Sequence, residues 1–267
     1  MTTFDTASQT LARKKAPHPG IPLVRITTTE VRKMFDTRSG FWLMVSIGIL
    51  ALLATTAVIL FASRDQSTYR TFTSAINIPL TVVLPVIAIL SVTSEWSQRS
   101  GLTTFTLIPH RGRVIAAKAI GCVAVAVVAI PLAFGIGALG NLVGAAIARV
   151  DPVWDLTIPN LLTIVLANVL SVLFGFTLGL LIRNSVGALV TYLVYQFLLP
   201  TLALILAASQ DWFRTLQPWV DFDHAQGALF SGAVTTQQWS HLAITSTIWL
   251  IIPMTIGLVL VTKAEVK

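Results

Sequence analysis

The chain has 267 residues, of which 55% are hydrophobic and only 11% are charged. Soluble globular domains carry about 25% charged residues, so this composition excludes an ordinary soluble domain and favours a bundle of helices in lipid. A net charge of +7 would point to nucleic acid in a soluble protein, but the positions of the charges, given below, explain it without such a partner.

The N-terminal 40 residues are polar and basic. Residues 1–20 predict a disordered cytoplasmic tail, and residues 21–267 a single transmembrane domain. Over residues 21–40 apolar side chains recur at near-helical spacing, with charged side chains on the other faces. The apolar set is Val24, Val31, Met34 and Phe35, and the charged set is Arg25, Arg32, Lys33 and Asp36. This pattern predicts an amphipathic helix on the cytoplasmic membrane surface, and the alternative is an irregular basic tail.

Six runs free of charge follow. A helix needs roughly 20 apolar residues to cross about 30 Å of hydrocarbon, and the six runs are long enough. They predict an all-α membrane protein with spans at about 41–62, 71–94, 119–148, 156–182, 186–208 and 242–261. Prolines inside the spans predict kinks, because neighbouring groups can satisfy the freed carbonyls. Residues 209–240 form the longest outer segment, and the run 222–232 predicts a short helix that dips into the outer leaflet.

Lysine and arginine indicate the orientation, because they concentrate in cytoplasmic segments. With the N-terminus inside, the outer segments contain four of them, Arg64, Arg70, Arg149 and Arg214, and the other 14 of the 18 lie inside. We therefore predict a multi-pass protein of the cell membrane with both termini in the cytoplasm.

The predicted spans contain no Asp, Glu, Lys, Arg or His. Proton-driven carriers and intramembrane enzymes generally need such a group at depth, although a sodium-driven carrier that uses backbone carbonyls stays open. The sequence has no G-x-x-x-x-G-K-[ST] loop, so ATP hydrolysis is expected in a separate subunit. Cys122 is interpreted as a packing residue. The four histidines, His18, His110, His224 and His241, are expected at scattered surface positions, and no metal site is predicted.

The inner segment 95–113 is the best candidate for docking a partner. Glu95 and Arg99 have the i, i+4 spacing of a helical ion pair, and Leu102 and Phe105 share one face of a short helix that Pro109 would end. The alternative is a solvated loop at the membrane surface.

The spans carry two further patterns, one in the fourth span and one spread over the second and fifth. Small residues recur every four positions at Thr163, Ala167, Ser171, Gly175 and Gly179, which predicts a seam where helices pack closely. The few polar residues in spans include Asn77, Tyr192, Tyr195 and Gln196. These are candidates for the lining of a translocation path, and the alternative is that they form hydrogen bonds between helices.

The order of these features resembles the ABC-2 type permeases, the membrane subunits of ATP-binding-cassette exporters. The resemblance is carried by three regions and their spacing. These are the basic first helix with Glu30, Lys33 and Arg38, the inner segment with Glu95, Thr103, Leu107, Pro109, Arg111 and Lys118, and the fourth span ending in Gly175, Gly179 and Arg183. Trp96 departs from the tyrosine, phenylalanine or histidine expected after Glu95.

The resemblance implies an exporter in a bacterial cell membrane. It implies two copies of a cytoplasmic ATPase that binds Mg-ATP, a second permease that is identical or paralogous, and a path near spans two and five. It also implies that segment 95–113 contains the coupling helix, with Glu95, Arg99, Leu102, Thr103, Phe105, Leu107 and Arg111 as the coupling residues. The expected substrate is a small amphiphilic or hydrophobic compound, such as a drug, lipid or peptide. Two alternatives are an ATP-independent membrane scaffold or assembly factor and a membrane-embedded enzyme.

Overall fold

A computed structural model describes residues 22–63, 66–97 and 111–263, and this part of the chain is almost entirely helical. Its only β-type pairing is an isolated bridge between Thr68 and Val153. The helices are α1 (Leu23–Asp36), α2 (Arg38–Phe61), α3 (Tyr69–Ser97), α4 (Arg111–Ala148), α5 (Ile158–Ile182), α6 (Ser185–Ser209), α7 (Asp211–Val220), α8 (Phe222–Ser231) and α9, from Thr236 to Lys263.

Six of these helices, α2 to α6 and α9, are long and apolar enough to cross a membrane. The predicted all-α architecture with six spanning helices is therefore confirmed, and the chain is a multi-pass membrane protein. Large apolar side chains such as Leu53, Leu60 and Phe61 are exposed on the outside of the bundle. A lipid environment accounts for them, since a soluble monomer rarely exposes such wide apolar surfaces.

Two spanning helices begin well before their predicted first residues. The third begins at Arg111 instead of near residue 119, because Arg113 and Lys118 do not interrupt helical hydrogen bonding. The sixth begins at Thr236 instead of near residue 242. There the side chain of Thr235 accepts from the backbone N–H of Gln238, and the Gln238 side chain accepts from the backbone N–H of Thr235. This capping box starts a helix within a polar run.

The prolines do not break the spanning helices, as the sequence predicts. Pro79 and Pro85 lie inside α3, and Pro131 lies inside α4. Pro200 and Pro253 each follow a π-helical turn, at Val194–Leu198 in α6 and Thr247–Ile251 in α9. The sequence does not predict these two π-helical turns. A π-helical turn widens the helix locally and is frequent at functional sites.

Helix α3 lies at the centre of the bundle. It packs most extensively on α5 and also contacts α2 and α4. The fully buried side chains Phe72, Ile76 and Ile89 of α3 face these neighbours. Helix α3 therefore connects most of the spanning helices to one another.

Helix α1 packs on the bundle along one face. Its buried residues are Ile26, Glu30 and Met34, spaced i, i+4 and i+8, while Val24 and Phe35 are exposed. The predicted contact of Val24 and Phe35 with the membrane surface stays a prediction. A carboxylate, Glu30, takes the central position because it has a buried partner, described below.

Candidate functional site

The predicted coupling segment lies between the end of α3 and the start of α4. Glu95 belongs to the last turn of α3, and Arg111 is the first residue of α4. Arg99, Leu102, Thr103, Phe105 and Leu107 lie outside the described residues. The surroundings of this segment, α1, the end of α3 and the start of α4, are described and contain the first notable cluster.

This cluster is a buried ion pair between α1 and α4. Lys118 Nζ lies 2.6 Å from Glu30 Oε2, and both side chains are almost fully buried. Lys33 Nζ lies 2.6 Å from Glu30 Oε1 but is half exposed. Lys118 also donates a hydrogen bond of 3.2 Å to the backbone carbonyl of Ser91 in α3. Three helices are thus held together at one ammonium group, beside the coupling segment.

The electrostatics of Glu30 follow from these contacts. Burial alone would raise the pKa of the Glu30 carboxyl, but the ammonium groups of Lys118 and Lys33 hold its pKa below the ordinary value. Glu30 is therefore ionised at neutral pH. Separating this pair would leave a charge in an apolar setting, which costs several kcal/mol.

The expectation that the spans carry no ionisable group needs correction. Arg113 and Lys118 belong to the spanning helix α4, and His241 belongs to the spanning helix α9. His241 is also buried, so its predicted surface position is wrong, whereas His224 is exposed as predicted. The last charge before an apolar run does not mark the start of these helices, because a helix continues past a charged residue whose charge a partner satisfies.

The second cluster surrounds Tyr192 in α6. Pro85 has no N–H, so the carbonyl of Thr81, four residues earlier in α3, loses its partner within the helix. The hydroxyl of Tyr192 donates to that carbonyl and stands 3.0 Å from Gln196 Oε1. Tyr192 and Gln196, two of the predicted path residues, are therefore brought together against the proline-containing part of α3.

Asn77 makes a different contact. Asn168 Nδ2 in α5 donates to Asn77 Oδ1 at 2.7 Å and to the carbonyl of Ile164 at 2.9 Å. Asn77 thus forms a hydrogen bond between helices, which is the alternative that the sequence left open for it. This contact joins α3 to α5 and does not bring Asn77 to the Tyr192 cluster.

Tyr195, the remaining path candidate, belongs to an aromatic cluster that joins four elements. Its ring centroid lies 4.3 Å from that of Phe174 in α5 and 5.7 Å from that of Trp249 in α9. Phe222 of α8 lies 5.9 Å from Phe174. Tyr195 and Trp249 both belong to the π-helical turns of their helices. The two irregular turns therefore face each other across this cluster.

The outer segment forms two helices, α7 and α8, and reaches into the bundle. Gln226 of α8 is buried, and its Nε2 donates to Ser171 Oγ at 2.6 Å and to the backbone carbonyl of Ala167. Trp249 Nε1 donates to the carbonyl of Val220 at the end of α7, at 2.8 Å. The predicted short helix at 222–232 is present as Phe222–Ser231, whereas α7 is an additional element.

The small-residue stripe of α5 is buried from Ala167 to Gly179, while Thr163 at its start is only partly buried. Ala167 and Ser171 contact Gln226, while Gly175 and Gly179 face α3. A methyl group on Gly175 would come within 2.8 Å of the Cβ and the carbonyl oxygen of Pro85. The corresponding distance at Gly179 is 3.3 Å, to the carbonyl oxygen of Ile89. Gly175 thus permits the closest approach between the two central helices.

We expect Gly175→Ala to lower the free energy of unfolding by about 1–3 kcal/mol, because the added methyl group overpacks against backbone atoms. The matched control is Gly135→Ala in α4, where a methyl group meets no atom within 4 Å. That variant should be neutral or slightly more stable, since alanine favours helices. Unfolding in lipid–detergent micelles measures both, and equal stabilities would show that α3 and α5 do not approach so closely.

No group of three or more potential metal-ligating side chains is found in the described part of the chain. The candidate sites are the ion pair beside the predicted coupling segment, the aromatic cluster, and helices α7 and α8 of the predicted outer segment. Comparison with protein-family models finds no match, and neither does comparison with curated proteins.

Proposed function

We propose that this chain is the permease subunit of an ABC-2 type exporter. In this role it forms the transmembrane path through which a separate ATPase drives a small amphiphilic or hydrophobic compound outward. The observation that carries the proposal is the Glu30–Lys118–Ser91 contact. It joins the amphipathic helix α1 to both helices that flank segment 95–113, so a force applied to that segment reaches α3, the centre of the bundle.

Three further features support the proposal. The sequence has no phosphate-binding loop, so an energy source outside the chain suits it. The outer helices α7 and α8 cover an aromatic cluster formed by α5, α6 and α9, which suits an apolar substrate leaving toward the outside. Among the six spanning helices, α6 has the smallest share of buried residues, which leaves its apolar face for lipid or a second permease.

Purification of the full chain in mild detergent tests the proposal. An exporter permease should retain a cytoplasmic ATPase at two copies per permease pair, and the chain alone should hydrolyse no ATP. A membrane scaffold would purify without an ATPase, and a membrane-embedded enzyme would act alone on candidate lipids. Either of these two results contradicts the proposal.

The proposed orientation has both termini in the cytoplasm. We expect a reporter that is active only in the cytoplasm to function when fused after Lys267 and to fail when inserted after Gln66 or after Ala233. Both insertion sites avoid helices, since Gln66 precedes α3 and Ala233 lies between α8 and α9. Reporter activity at either outer site would contradict this topology.

A further inference from the structure

A pocket opens between α8 and α9 on the side of the bundle assigned to the outside. It has a volume of about 390 Å³, in the range of sites that bind small organic molecules. Its lining combines small residues with polar ones: Asp223, His224, Ala225, Gly227, Ala228, Gln238 and His241. The coupling segment, the ion pair and the aromatic cluster do not use this pocket.

His241 is the first sign that the pocket has a ligand. Its side chain is nine-tenths buried, and its ring lies edge-on to Trp219 with centroids 4.3 Å apart. Its Nε2 atom is buried without a hydrogen-bond partner among the described residues. An unpaired buried polar atom costs about 1–3 kcal/mol, and a ligand that donates an N–H would remove that cost.

Asp223 is the second sign. Burial raises the pKa of its carboxyl, the nearby Asp221 raises it further, and His224 lowers it in part. No ion pair to Asp223 is found within the described ranges. The charge of Asp223 also acts on Tyr192 and Tyr195. A carboxylate without an ion-pair partner thus lines the outer pocket, where a cation would stabilise it.

Charge and hydrogen bonding together restrict the ligand. Asp221 and Asp223 disfavour an anion, and a neutral molecule would leave Asp223 without a counter-charge. A metal ion lacks the ligand group that it needs in the described residues. A protonated amine supplies both a positive charge for Asp223 and an N–H donor for His241 Nε2.

We propose that this pocket binds the protonated amine of an amphiphilic substrate, with Asp223 as its counter-charge and His241 Nε2 as an acceptor of its N–H. The proposal rests on the proposed export function, because it names the chemical class of substrate that the permease would release outward. The binding itself depends only on the pocket. The apolar part of the molecule would lie against Ala225, Ala228 and the adjoining lipid.

Binding to the purified permease in lipid nanodiscs tests the proposal, with tryptophan fluorescence as the signal because Trp219 contacts His241. The probes are dodecylammonium, dodecyltrimethylammonium and dodecanol, which share one alkyl chain and so partition into lipid through the same group. Dodecylammonium should bind at least about tenfold more tightly than either of the others. The trimethyl probe has no N–H for His241, and dodecanol has no charge for Asp223.

Variants assign the effect to the two side chains. Asp223→Asn should weaken dodecylammonium binding about tenfold or more and leave dodecanol binding unchanged. His241→Leu should reduce the preference for dodecylammonium over the trimethyl probe. The matched control is Asp211→Asn, which changes an exposed carboxylate that pairs with Arg214 in the same outer segment and should bind all probes normally. Circular dichroism melting establishes that each variant is folded.

Two outcomes would overturn the amine site: equal dodecylammonium affinities for the wild type and folded Asp223→Asn, or equal affinities of the wild type for dodecanol and dodecylammonium. The assay contains no ATPase, so its result is independent of the export proposal. If the chain binds the amine tightly but purifies without an ATPase, the amine site is supported and the export function is refuted. If the chain purifies with an ATPase but does not bind the amine selectively, the export function is supported and the amine site is refuted.

Discussion

Replacing Lys118 with methionine is expected to lower the free energy of unfolding by about 3 kcal/mol, the lower end of the range for breaking a buried ion pair. The variant leaves the Glu30 carboxylate, which is 4% exposed, with only the half-exposed Lys33 as a partner. The carbonyl of Ser91 loses a donor as well. Urea unfolding in mixed micelles measures the effect. Before urea is added, the variant must show the α-helical signal of the folded protein.

Two companion variants separate the ion pair from lost packing. Lys33→Met should cost no more than about 1 kcal/mol, because partly exposed ion pairs contribute little. The double variant Glu30→Gln/Lys118→Met should recover most of the loss, since it removes both charges. If Lys118→Met is as stable as the wild type, or the double variant is no better than the single one, the pair does not stabilise the fold.

The same pair predicts a dependence on pH. The folded-state pKa of Glu30 lies below its ordinary value of 4.5, so its stabilising contribution is complete above that ordinary value. The contribution is lost as the pH falls through the lowered folded-state pKa. Glu30→Gln, which does not titrate at this position, should lose less stability than the wild type over that acidic range.

The spanning helices were predictable because a span is a property of consecutive residues. Charge-free runs of about 20 residues locate all six, and the predicted span 156–182 places α5, Ile158–Ile182, to within two residues. The starts of α4 and α9 were not predictable in this way, because the charges at 113 and 118 and the polar run 236–241 interrupt the apolar runs. Helical hydrogen bonding and the capping box at Thr235 extend both helices past that polar sequence.

Partners across the bundle were not predictable from one sequence. Glu30 reads as a surface acid on an amphipathic helix until Lys118, 88 residues later, is placed beside it. The sequence does contain a signal for the burial of Glu30, since Ile26, Glu30 and Met34 share one helical face. Pro85 likewise signals that the carbonyl of Thr81 needs a donor, but the sequence does not identify Tyr192 as that donor. Asp223 and His241 become a candidate site only when α8 and α9 pack together.

Segment 95–113 is where the proposed transporter should be most sensitive to a change outside the bundle. Phe105 is its aromatic side chain on the predicted helical face that includes Leu102. Apolar side chains at a membrane surface have an explanation if a partner protein buries them. The neighbouring ion pair ties α1 and α4 to α3, so binding at this segment would be transmitted to the central helix.

We expect Phe105→Ala to weaken ATPase binding about thirtyfold or more. Truncating an aromatic anchor of an interface typically costs about 2 kcal/mol or more, and about 1.4 kcal/mol corresponds to each factor of ten. Expression and membrane insertion should stay normal, because the change lies outside the six spans. Pull-down of the ATPase and substrate-stimulated ATP hydrolysis in reconstituted vesicles measure the two consequences.

Arg99→Glu is the companion variant, because it reverses the charge that is spaced to pair with Glu95 or with an acidic group on the ATPase. It should impair stimulated hydrolysis, while Arg64→Glu, a charge reversal in a predicted outer segment, should not. If Phe105→Ala and Arg99→Glu both leave ATPase binding and hydrolysis unchanged, segment 95–113 is not the coupling element. The exposed face of α1, with Arg32 beside Asp36, would then be the next candidate for the coupling element, and Arg32→Glu would be the variant that tests it.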